Sequence, residues 1–83
     1  MSKYSPLYHY LAEIPLTEQG CTLTFAQIER IIAADLPPSA RSYPAWWANV
    51  SGGSHVQAYA WLNSGWQVTN LNLPRQLITF SRR

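Results

Sequence analysis

Apolar residues in the first third of the chain recur at helical spacing. Leu7, Tyr10, Leu11 and Ile14 fall on one stripe, Ser5 stands as a capping residue, Pro6 occupies the first helical position and Pro15 stops the run. That pattern predicts a helix over residues 5–13. A short extended piece follows at 21–23. Thr24 then caps a helix predicted over 25–34, whose buried face is Phe25, Ile28, Ile31 and Ile32, with Gln27, Glu29 and Arg30 pointing away. Gln27 falls at the third helical position, where its side chain reaches back to the Thr24 backbone as in a capping box. Pro37 and Pro38 end this helix.

Residues 39–50 are the least regular. Ser39 reads as the cap of a turn through Ala40 and Arg41, and Pro44 starts a further turn carrying Trp46 and Trp47. Ser51-Gly52-Gly53 reads as a flexible loop. Ser54 caps a third helix over 55–63, with Val56, Tyr59, Ala60 and Leu62 facing inward, and Gly65 is its stop. On this reading His55, Gln57, Ala58 and Trp61 lie on its other faces. The periodicity then changes to two. Residues 66–73 and 77–80 flank Pro74-Arg75 and predict an antiparallel hairpin. The apolar phase switches from Trp66 and Val68 to Leu71 and Leu73, which a bulge near Asn70 explains.

Three helices, a short strand between the first two and a C-terminal antiparallel hairpin make an α+β domain over 1–83, winged-helix-like in order. The stretch 35–54 exceeds a normal turn between the two helices of a helix-turn-helix. It is either an insertion or the mark of a different α+β arrangement.

Charge adds a clue to function. All four acids (Glu13, Glu18, Glu29 and Asp35) precede residue 36, where only Lys3 and Arg30 offset them; Arg41, Arg75, Arg82 and Arg83 follow with no acid among them. A cationic, acid-free region attracts polyanions. Four Trp, five Tyr and two Phe supply the bulk a chain of 83 residues needs for its core. Adjacent Trp46 and Trp47 cannot both point the same way; the reading puts Trp46 and Trp61 in the core and Trp47 at a contact surface.

Catalysis finds little support. His9 and Glu13 are one helical turn apart, and Cys21 with His55 would need folding to bring them together, so no enzyme activity is expected. The single Cys precludes an internal disulfide and a cysteine-based zinc site, and no metal or cofactor is expected. With no signal-like or membrane-spanning stretch, a cytoplasmic location without membrane contact is expected. The leading expectation is binding of nucleic acid, double-stranded DNA ahead of RNA. Ser39, Arg41 and Ser42 would converge on a phosphate; Ser54, His55 and Gln57 would stand at a helix start, with Gln57 on an adenine edge; Arg75 would act as a wing arginine, aided by Arg82 and Arg83.

The string Leu23-Thr24-Phe25, Ile28-Glu29, Ile31-Ile32, Leu36-Pro37, Ser39-Ala40-Arg41, Trp46-Trp47, Asn49, His55, Ala58, Ala60-Trp61, Gly65-Trp66 and Val68 resembles a small family of uncharacterised bacterial and phage domains. Their pattern runs L-T-F-x-x-I-E-x-I-I, L-P-x-S-A-R, W-W-x-N, H and A-W-x-x-x-G-W-x-V. The chain carries Ala33 where that pattern has Gly. The resemblance implies a domain found alone and attached to larger proteins, a habit that suits a binding module. It singles out Ser39, Arg41, Asn49, His55 and Trp47. The alternative function is a protein-binding adaptor or a phage-encoded inhibitor of a host nuclease or defence complex, acting through exposed aromatics. A homodimer is compatible with either.

Overall fold

The computed structural model describes residues 2–50, 53 and 55–83. Among them the chain runs α1 (Ser5–Ala12), β1 (Gly20–Thr24), α2 (Phe25–Ile32), α3 (Pro38–Ser42), a 3-10 turn (Pro44–Trp47), α4 (Ala58–Leu62), β2 (Trp66–Asn72) and β3 (Leu77–Arg82). The class is α+β, as expected. The two turns read after Ser39 and from Pro44 are present, as α3 and as the 3-10 turn carrying Trp46 and Trp47. Ser51, Gly52 and Ser54 lie outside the described residues.

α1 buries only Leu7 and Leu11; Ser5 is its first helical residue and Tyr4 the cap position, so Ser5 is not the cap. Tyr10, placed on the buried stripe by spacing, is exposed. α1 packs against both α2 and α4, and these two neighbours leave Tyr10 on its outer side. At α2 the capping box is present: Thr24 Oγ1 accepts from the Gln27 N–H at 3.0 Å, and Gln27 Oε1 from the Thr24 N–H at 2.7 Å. α2 ends at Ile32 because Ala33 takes the left-handed conformation, φ 54°.

Two expectations about the tryptophans and the third predicted helix are corrected. Trp47 is buried, 2% exposed, and Trp46 is only half-buried, the reverse of the expected assignment. Phe25 stacks on Trp47 at 5.0 Å, Trp47 on Trp61 at 5.9 Å, and Trp61 tilts against Phe80 at 5.6 Å, a row running from α2 to the sheet. Trp47 therefore fills the centre, with its Nε1 donating to the Ala40 carbonyl at 2.8 Å. The helix predicted over 55–63 is regular only from Ala58 to Leu62. Its inward face is Ala58, Ala60 and Trp61 together with Gln57, while Val56 and Tyr59 are exposed. Seating Trp61 between Trp47 and Phe80 sets that rotation, and the late start moves the phase the spacing implied. Gly65 (φ +91°) occupies the left-handed conformation that turns the chain into β2.

The sheet order is β1-β3-β2, all antiparallel. β1, read as a short extended piece over 21–23, is an edge strand paired from Gly20↔Ser81 to Thr24↔Leu77. The bulge expected near Asn70 falls between Val68 and Asn70. Leu23, Ile78, Phe80 and Trp66 are buried under the helices. The opposite face carries hydroxyl pairs, Thr22 with Thr79 at 3.0 Å and Thr69 with Ser81 at 2.8 Å.

Candidate functional site

Most of the expected contact residues are engaged inside the molecule. Arg41 Nη2 lies 3.1 Å from Glu29 Oε1, the only ion pair among the described residues, and its guanidinium stands 5.8 Å from the centre of the Phe25 ring. Glu29 also accepts the Leu36 N–H at 2.8 Å. That backbone hydrogen bond, with help from Arg41, holds its carboxyl below the usual carboxylate range against the opposing effect of burial. An acid of the N-terminal part thus neutralises the cation expected to meet a phosphate.

Arg82 is occupied as well. Its guanidinium donates to the carbonyls of Ile14 and Pro15 at 2.9 Å and of Glu18 at 3.0 Å, and it lies 4.0 Å from the centre of the Trp66 ring. It ties the loop after α1 to the sheet. Arg83 Nη1 donates to the Leu62 carbonyl at 3.3 Å.

Asn49 bridges two elements within the fold. Its Oδ1 accepts from Trp61 Nε1 at 3.0 Å and from the Val68 N–H at 2.8 Å, while its Nδ2 donates to the Val68 carbonyl at 2.8 Å. One side-chain amide thus pairs with the outer edge of β2 as a neighbouring strand would. Gln57, expected at an adenine edge, is 6% exposed and spends its Nε2 on the Trp46 carbonyl at 2.8 Å. Trp47 is core and unavailable for stacking on a base. Ser39 does not cap α3, which makes no side-chain capping bond; its carbonyl accepts the Tyr43 N–H at 2.9 Å. Ser42 is exposed at the end of α3, and Ser54 lies outside the described residues.

His55 is half-buried, and its Nδ1 is enclosed with no hydrogen-bond partner among the described residues. Arg75 is exposed in the β2–β3 turn, and only its backbone N–H is held, by Asn72 Oδ1 at 3.1 Å. That turn does not project freely: the Gln76 carbonyl accepts the Phe25 N–H at 2.9 Å, anchoring it at the start of α2. Arg75, Ser42 and His55 belong to three separate segments, and no hydrogen bond joins them among the described residues.

Two grooves flank α1 instead. The first, about 300 Å³, lies between α1 and α4 and is lined by Ser2, Tyr4, Tyr8, Val56, Tyr59 and Asn63 among others, none of them charged. The second, about 290 Å³, is lined by Tyr10, Leu23, Gln27, Arg30 and Ile31. Arg30 makes no ion pair or hydrogen bond through its side chain among the described residues. The sequence carried a signal for it. The positions three and four before it on α2 are Gln27 and Ala26, and those three and four after it, Ala33 and Ala34, fall past the helix end, so no carboxylate stands one turn away. Tyr8 and Tyr59 were missed for different reasons: Tyr8 stands off the Leu7–Leu11 stripe, and Tyr59 was assigned inward.

Burial pushes the Cys21 thiol up, away from the reactive thiolate. Among the described residues no group of three or more His, Cys, Asp or Glu could hold a metal ion, and no helix is long and apolar enough to cross a membrane. Searches of curated proteins and of solved structures gave no match. A family model does match, over residues 4–83, and on that near-complete span the chain belongs to the family described as Domain of unknown function (DUF7662).

Proposed function

We propose that the domain is a protein-binding module whose contact surface is the groove between α1 and α4. One observation carries this reading. Two of the arginines expected to grip a polyanion are committed internally, Arg41 to Glu29 and Arg82 to three carbonyls, while Tyr8, Val56 and Tyr59 stand around an uncharged groove. Tyrosine offers large contact area at low entropic cost, and interface centres favour aromatics and exclude charge. The fitting occupant is an uncharged apolar segment of another polypeptide. An adaptor or inhibitor role follows naturally from such a surface.

A photo-crosslinking amino acid at position 59 tests this in cells. One polypeptide should be captured, and Val56→Asp should abolish the capture while leaving the fold intact. Absence of any protein adduct, together with salt-sensitive binding of a DNA duplex lost on Arg75→Ala, overturns it.

The nucleic-acid reading keeps one specific support. The strand order β1-β3-β2 and the placement of the hairpin after the helices are compatible with a winged-helix arrangement, in which Arg75 would be the wing residue. Under that reading α4 would enter the groove, yet its exposed side presents Tyr59, flanked by the exposed Val56 and Asn63, and no cation. Any DNA affinity would be shallow in its salt dependence.

A further inference from the structure

We propose that the open edge of β1, with the groove beside it, takes an extended peptide segment that pairs with the Thr22 backbone and delivers an acidic side chain to Arg30. This site is separate from the α1–α4 groove and stands or falls without it.

The hydrogen-bond alternation of the sheet identifies the free groups. Asn49 bonds both the N–H and the carbonyl of Val68, so Val68 turns its backbone away from β3. Phe80, opposite Val68, must then aim its own backbone groups at Cys21 on β1. By alternation Leu23 pairs with Ile78, while Gly20, Thr22 and Thr24 turn outward. The Thr24 N–H is used by Gln27 in the α2 cap, whereas no group among the described residues bonds the Thr22 N–H or carbonyl. Gly20 places no side chain along this edge. Unpaired N–H and C=O groups in an edge strand are a template for strand addition.

The groove supplies the selectivity. Leu23 belongs to the open strand and forms the groove with Ile31 and Tyr10, while Arg30 brings its charge. No acid lines the groove, so an aliphatic residue in it with a carboxylate beside it satisfies both the apolar surface and the cation. Main-chain pairing supplies affinity and the groove chooses the side chains, the division of labour general to strand-addition sites.

The probe is an acetylated hexapeptide, Val-Thr-Ile-Glu-Val-Thr, compared with its Glu→Gln counterpart. Amide exchange and titration would be followed by NMR on the full chain. The glutamate peptide should slow exchange at Thr22 and bind about threefold to fivefold tighter than the glutamine peptide, the scale of an exposed ion pair. Arg30→Gln should erase that preference, and Tyr59→Ser should leave it untouched. Thermal melts matching the unsubstituted chain would show that both variants fold. Equal binding of the two peptides, binding of neither, or protection anywhere but Thr22 and its β1 neighbours overturns the proposal. Loss of crosslinking at position 59 with the peptide preference retained would sink the α1–α4 reading alone.

Discussion

The two edges of one small sheet are finished in opposite ways. At β2 the side chain of Asn49 occupies the outward N–H and carbonyl of Val68 and hands its remaining lone pair to Trp61 Nε1. At β1 the outward groups of Thr22 have no partner among the described residues, and its neighbour Leu23 lines the groove beside Arg30. The same contrast recurs within one turn of α2, where Glu29 is held by Leu36 and Arg41 while Arg30 beside it is held by nothing described. Asn49 and Glu29 are thus held on the β2 and α3 side, whereas the Thr22 backbone and the Arg30 side chain on the β1 side have no partner among the described residues.

The largest blow to the closed side comes from beneath it. Trp47→Ala removes the central ring of the aromatic row and should destabilise by about 3–5 kcal/mol, read as loss of cooperative unfolding in a urea titration. Next comes Asn49→Ala, which strands Trp61 Nε1 and reopens the Val68 edge. A cost of about 2–3 kcal/mol is expected from these orphaned groups. Strand addition should then appear at Val68 too, visible as peptide-induced exchange protection, so this variant erases the contrast between edges.

Acid should loosen the closed side before the rest. Glu29 has a folded pKa below its unfolded value, so its contribution is complete above the ordinary carboxylate range and fades as pH falls through the lowered value. Glu29→Gln should flatten the melting-temperature profile below about pH 4.5. A profile identical to the unsubstituted chain would remove the special role given to this carboxylate. A small gain is expected from Ala33→Gly. It relieves a left-handed Ala at the end of α2 and should stabilise by about 0.5–1 kcal/mol.

The regular parts of this fold were legible because local signals and tertiary demands agree there. Thr24 and Gln27 announce the α2 cap, the phase switch at Asn70 announces the bulge, and both are where the pattern put them. The Trp46–Trp47 pair was ambiguous because a 3-10 turn decides which ring goes inward, and no periodicity reports that choice. The polar residues were ambiguous for a related reason. Asn49, Arg41 and Gln57 have the chemistry of nucleic-acid contacts, but their partners are backbone groups and a carboxylate distant in sequence. Residue type alone does not separate an amide that bridges a strand edge from one that reads a base.

The strand at the centre of the sheet is the last element of the described fold, and one of its partners, β1, lies more than fifty positions earlier. A ribosome releasing this chain would therefore expose β1 early and unsheltered. Its mate arrives only when synthesis reaches Leu77–Arg82. Until then the aromatic row lacks Phe80, and the helices have no floor to settle on. Such long-range closure slows folding relative to a helical bundle of similar size. Shortening β3 by even its final residues should leave a nascent chain that stays chaperone-dependent.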